Sequence, residues 1–130
     1  MDEADSDRVR QELLAVEPLT HRLPPGSGQD AVEALLATGY WEVGASGAVY
    51  RRDLVVEVVT QRYADGSDPD DDAWRVEQFA AHPVADAVWL ASYLLFQGDR
   101  RTRRATLWER TPDGWRALYH QGTLAPAPER

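Results

Sequence analysis

The sequence has no cysteine, and none of its 130 residues is lysine. The first absence excludes disulfides, thiolate nucleophiles and thiolate metal sites in any compartment. The second removes Schiff-base chemistry and a lysine general base. No run of apolar residues approaches the ~20 that a membrane-spanning helix requires. The opening MDEADSDR is acidic and leads into no apolar segment of signal-peptide length, so a cytoplasmic location is expected. Positive charge is also scarce: the formal net charge is −8, which disfavours nucleic acid and anionic membranes as partners.

What is present suits a single small domain over 1–130, with 1–5 and 125–130 expected to be flexible. Hydrophobic residues make up 43% and charged residues 28%, too apolar a balance for a disordered chain. Asp5 or Ser6 can cap a first helix in which Val9, Leu13 and Val16 recur at helical spacing, with Pro18 as its end. LPPGSG at 23–28 breaks the chain. Ser27 and Asp30 open a second helix bearing Val32, Leu35 and Leu36, with Gly39 as the expected stop.

YWEV and AVY flank GASG, which suits a hairpin or sharp bend. RRDLVVEVVTQRY is valine-rich, yet the pairs Leu54–Val58 and Val55–Val59 give one apolar stripe, so a helix is expected. From Ala73 the period becomes two, and HPVAD, QGDRR and TPDG divide the remainder into a four-strand meander. The strand DAVWLASYLLFQ is apolar on both faces, so both should be covered, one by helices and the other by a second subunit.

Helices followed by a long meander ending in a Gly-Trp strand resemble the nuclear-transport-factor-2-like superfamily, which includes SnoaL-like cyclases and ketosteroid isomerase. EVGASG at 42–47, RRATLWER at 103–110, GWRALYHQGT at 114–123 and ELLAVEPL near the start resemble an uncharacterised bacterial branch of it, marked by the C-terminal HQGT. The resemblance implies an α+β cone in which N-terminal helices pack on a highly curved antiparallel sheet. It also implies a cavity at the open end and a homodimer formed through the convex face.

Cavities of this kind are mainly apolar with a few inward polar groups. The candidate ligand-pocket residues are Trp41, Glu42, Tyr93, Arg104, Trp108, His120 and Gln121. Trp89, Trp115 and Tyr119 are further aromatic candidates for core, interface or wall. Strand parity places Arg104, Thr106 and Trp108 on one face. An inward Arg104 needs a negative partner, either Glu42 as a structural brace or an anionic ligand. His120 is the candidate general base, with Glu42 as the other catalytic candidate; the alternative for His120 is a hydrogen bond tying the last strand to the EVGASG turn. His120 and Gln121 are adjacent, so only one faces inward unless a bulge intervenes.

No Asp-Tyr-Asp or Asp-Arg-Asp set can be placed on matching positions, which leaves enzymatic activity undecided. The expected function is a homodimeric small-ligand-binding or accessory domain for a hydrophobic or anionic ligand, without cofactor. The alternative is a cyclase, isomerase or dehydratase acting on a hydrophobic enolisable substrate. Asp68, Asp70 and Asp72 alternate as in a calcium loop, but Ala73 replaces the needed glycine and the final glutamate is missing, so no metal is expected. RRTRR at 100–104 spreads over two faces of a hairpin and makes a poor phosphate site.

Overall fold

The computed structural model describes residues 3–24, 26–66 and 74–126. Three helices, α1 (Glu3–Val16), α2 (Gln29–Leu35) and α3 (Arg52–Asp65), accompany six strands. The strands are β1 (Leu36–Val43), β2 (Val49–Arg51), β3 (Trp74–Ala85), β4 (Val88–Gln97), β5 (Arg100–Thr111) and β6 (Gly114–Leu124). They form one sheet in the order β2-β1-β6-β5-β4-β3. The meander β3 to β6 is antiparallel, but β1 joins β6 in parallel, so the sheet is mixed where an antiparallel one was expected. A parallel junction arises because α3 takes the chain from β2 to the far edge of the sheet at β3, and the meander brings β6 back alongside β1.

Helix α1 buries Val9 and Leu13, spaced by one turn, against the sheet. Residues 3–5, at the end expected to be flexible, form its first turn, and the Ala125 amide donates to the Arg101 carbonyl at 2.9 Å. Residues 1–2 and 127–130 lie outside the described residues.

The second helix is shorter than expected. It gives way to strand at Leu36, and Gly39 lies inside β1. Leu36 and Tyr40 are both fully packed in the core, so burial of this segment in the sheet outweighs the stop signal that glycine supplies to a helix. No side chain caps α2 at Gly28.

Helix α3 forms despite its valines. It ends where Gly66 adopts a left-handed conformation at φ 65° and its amide reaches the carbonyls of Arg62 and Tyr63. Only part of the expected stripe is covered: Val55, Val56, Val59 and Tyr63 are buried, whereas Leu54 and Val58 remain 42% and 53% exposed. Arg52 fastens its start, donating from Nε to the Ala37 carbonyl at 3.0 Å and from Nη2 to the Glu33 carbonyl at 3.0 Å.

The C-terminal end of α3 holds the segment after α1. Thr20 has φ 71°, unusual for a β-branched residue, and its carbonyl accepts from Tyr63 Oη at 2.8 Å and Arg62 Nη2 at 2.9 Å. These bonds pin Leu19, Thr20 and His21 against the mouth of the fold.

Strand β4 is covered on its inner face, where Trp89, Ala91, Tyr93 and Leu95 are buried; Leu94 is buried on the other, and Leu90 and Phe96 are half-buried. Core and rim should respond differently to truncation. Leu13→Ala is expected to lower unfolding stability by about 2–5 kcal/mol, and Val58→Ala by less than about 0.5 kcal/mol, as read by urea denaturation.

Candidate functional site

The cavity lies between the inner face of β1, β5 and β6, the outer part of α3 and the segment 19–21. Its volume is about 280 Å³. Leu54, Val55, Val58 and Val59 supply an apolar wall, Tyr50 closes one side, and Glu42, Arg104 and His120 face them from the sheet.

Sheet register explains this convergence. In β1, Tyr40 and Glu42 share the inner face, while Trp41 between them points outward, 45% exposed, onto Tyr119 with ring centroids 4.5 Å apart. Glu42 stands beside His120 in the parallel β1–β6 pairing, and His120 stands opposite Thr106 in the β5–β6 pairing. Leu107 pairs with Tyr119 but Trp108 pairs with Ala117, so Leu118 is an extra residue in β6. Both Ala117 and His120 are therefore buried, although a regular strand would put them on opposite faces.

Of the residues expected in the pocket, Glu42, Arg104 and His120 line the cavity. Tyr93 and Trp108 are on the same side of the sheet but are sealed in the core beneath it. Trp41 and Gln121 do not line it: Trp41 is on the outer face by strand alternation, and Gln121 lines a separate groove there because the bulge turns His120 inward.

The pocket prediction omits the lining residues His21 and Arg62, and it also misses Glu17, which lies behind the cavity wall. Glu17 is completely buried, accepting hydrogen bonds from Tyr93 Oη at 2.8 Å and Trp108 Nε1 at 2.9 Å. Its sequence signal is its spacing: Val9, Leu13 and Glu17 recur every four residues, so Glu17 continues the inward stripe just beyond the end of α1. Loss of hydration raises its pKa, and the hydrogen bonds to the carboxylate oppose that shift.

Tyr40, also buried and not predicted, donates from its hydroxyl to Glu42 Oε1 at 2.7 Å. Burial raises the Glu42 pKa, with the Tyr40 hydrogen bond and the charges of Arg104 and Arg62 acting against it. His120 moves the opposite way, to about 3, because burial disfavours its cation and Arg104 repels it. It is a neutral imidazole near pH 7. Its Nδ1 lies 2.7 Å from Thr106 Oγ1 and its Nε2 3.4 Å from Arg104 Nη1.

Arg104 also donates from Nε to Thr102 Oγ1 at 3.0 Å. The expected Arg104–Glu42 brace does not close: among the described residues Arg104 makes no carboxylate contact within ion-pair distance, because Glu42 turns to Tyr40. Neighbours within RRTRR alternate as a strand requires, Arg103 lying on the outer groove and Arg104 reaching the cavity. The acidic run expected to be a solvated turn falls on 67–73, outside the described residues.

No protein-family model matches the chain, and no curated protein sequence matches it. Solved structures do. A cystatin-like fold protein from Burkholderia xenovorans superposes with a TM-score of 0.71 at 13% identity, over 98% of this chain and 96% of its own. A candidate dehydratase of the NTF2-like family from Streptomyces avermitilis gives 0.67 at 16% identity, over 96% and 99%. An NTF2-like protein of unknown function in nutrient uptake from Rhodospirillum rubrum gives 0.58 at 16% identity, over 97% and 100%.

The burial of neutral His120 has a measurable cost in acid. Its folded-state pKa lies below the ordinary 6.5, so the unfolded chain takes up the proton first. Its contribution is complete above pH 6.5 and is lost as the pH falls toward about 3, at roughly 1.4 kcal/mol per pH unit. Glu17 and Glu42, with raised values, act in the opposite sense, losing stability as pH rises through their folded-state values. Urea denaturation from pH 7 to 3.5 is expected to give a shallower acid decline for His120→Asn than for the native chain. With its helices packed on one curved six-stranded sheet, the chain has the α+β cone fold of the nuclear-transport-factor-2-like superfamily.

Proposed function

We propose that this protein binds a small apolar molecule with an anionic head in the cavity, acting as a ligand-binding or accessory domain. The observation that carries this reading is Arg104: a permanently charged guanidinium on the wall of a largely apolar cavity, with no carboxylate within ion-pair distance among the described residues. Such a cation is stabilised by an anion that arrives with the ligand. The wall of α3, with Leu54, Val55, Val58 and Val59, suits the apolar body. A volume of about 280 Å³ suits a one- or two-ring compound.

The same reading includes a homodimer. The outer face of β4, β5 and β6 has a groove of about 400 Å³ between Leu90, Ala105, Leu107 and Tyr119, an apolar surface that a second copy would cover. Sedimentation at micromolar concentration is expected to give a dimer, and Leu107→Arg a monomer. A native monomer would remove this part of the proposal.

Acid–base chemistry on an enolisable substrate is the second reading, favoured by Glu42. Its raised pKa and its place on the cavity wall are what a general base near neutral pH needs. The likeness to the Streptomyces avermitilis candidate dehydratase agrees with it at the level of fold. Deuterium exchange at the α-carbon of bound apolar ketones is its signature, lost in Glu42→Gln.

Calorimetry with phenylacetate and 2-naphthoate tests the primary reading. Binding is expected, weakened about 10- to 100-fold by Arg104→Gln, since a charge-assisted hydrogen bond contributes about 1.5–3 kcal/mol. Equal affinity in the native chain and Arg104→Gln would refute the role of Arg104.

A further inference from the structure

A carboxyl and a guanidinium, Glu42 and Arg104, line one cavity without forming an ion pair with each other. They are near neighbours: Glu42 stands beside His120 in the β1–β6 register, and Arg104 Nη1 lies 3.4 Å from the same imidazole. In surroundings of low polarity an ionised carboxylate is drawn strongly to a guanidinium, so their separation needs an anchor on each side.

Both anchors are present. Tyr40, buried in the core, donates to Glu42 Oε1 at 2.7 Å and holds the carboxyl over β1. Arg104 is held over β5 and β6: its Nε donates to Thr102 Oγ1 at 3.0 Å, and its guanidinium rests on the backbone at Gly122, where a Cβ would lie 3.6 Å from Arg104 Cζ. Arg62, the other arginine on the cavity wall, donates from Nη2 to the carbonyl and hydroxyl of Thr20 at 2.9 and 3.0 Å. Each anchored group keeps one atom for a ligand, since Glu42 Oε2 and Arg104 Nη2 make no hydrogen bond to another described residue.

We infer that the cavity is a zwitterion site, in which Arg104 takes a carboxylate and Glu42 takes an ammonium on the adjacent carbon, with Tyr40 as the positioning residue that keeps the two from neutralising each other. The ligand class is an apolar α-amino acid, whose side chain meets the wall formed by Leu54, Val55, Val58 and Val59. A ligand with an anionic head alone would leave Glu42 desolvated and facing a like charge, a cost that the ammonium removes. This inference rests on the ligand-binding reading of the cavity and specifies its head group.

Calorimetry at pH 7 compares phenylacetate with 2-phenylglycine, the same molecule bearing an α-ammonium. The native chain is expected to bind one enantiomer of phenylglycine about tenfold more tightly than phenylacetate, the size of one charge-assisted hydrogen bond, and Glu42→Gln to abolish that preference. Equal or tighter binding of phenylacetate by the native chain, or a preference that survives in Glu42→Gln, overturns the zwitterion site and leaves the anion-binding reading standing. Tyr40→Phe frees Glu42 to pair with Arg104 and is expected to lower phenylacetate affinity about tenfold, with Tyr40→Phe/Glu42→Gln restoring it. Unchanged affinity in Tyr40→Phe, or no recovery in the folded double variant, overturns the positioning role. Failure of phenylacetate, 2-naphthoate and phenylglycine alike to bind the native chain overturns the ligand-binding reading and the zwitterion site with it.

Discussion

A carboxylate removed entirely from water is the constraint around which this molecule is arranged. Glu17 loses its hydration on folding, and that loss must be offset by donors placed around both oxygens. Tyr93 from β4 and Trp108 from β5 supply two of them, which fixes the end of α1 against the middle of the sheet. Removing one donor would leave a buried carboxyl oxygen short of a partner, a larger cost than the same deletion at the surface. The segment that follows Glu17 is then held at Thr20 by Arg62 and Tyr63, so the buried carboxylate and α3 together define one side of the cavity.

The sheet divides the remaining polar groups between two environments. On the inner face Glu42, Arg104 and His120 meet an apolar helix wall, where low polarity strengthens every charge they carry or refuse to carry. Arg104 keeps its charge at any working pH, and its field is one reason His120 does not acquire one. On the outer face Trp41, Tyr119 and Gln121 lie on a surface with ordinary solvent access. One extra residue, Leu118, decides which set contains His120.

Much of the fold was legible because its signals are periodic. Val9 and Leu13 at helical spacing, Val55 and Val59 of α3 and the two-residue period beyond Ala73 each report a buried face, and the structure buries the first two pairs and the inner face of β4. Gly39 misled because local propensity is weaker than the burial of Leu36 and Tyr40 in β1. The cavity was legible in three residues, Glu42, Arg104 and His120, through strand parity and the need of an inward arginine for a partner. Trp41 and Gln121 were misplaced for different reasons: Trp41 is large and aromatic but alternates outward from Glu42, and Gln121 could be assigned only by knowing of the bulge at Leu118. Glu17 passed unnoticed because a glutamate before a proline reads as the polar end of a helix, and its donors arrive from strands more than 70 residues away.

The central claim is that the charge of Arg104 is answered by a ligand and not by the protein. A crystal structure of the protein with phenylacetate tests it most directly. The account predicts the carboxylate within hydrogen-bond distance of the Arg104 guanidinium, with the ring against Val55 and Val59. A carboxylate bound elsewhere, or Arg104 turned onto Glu42 with the cavity filled by its own side chains, would contradict it.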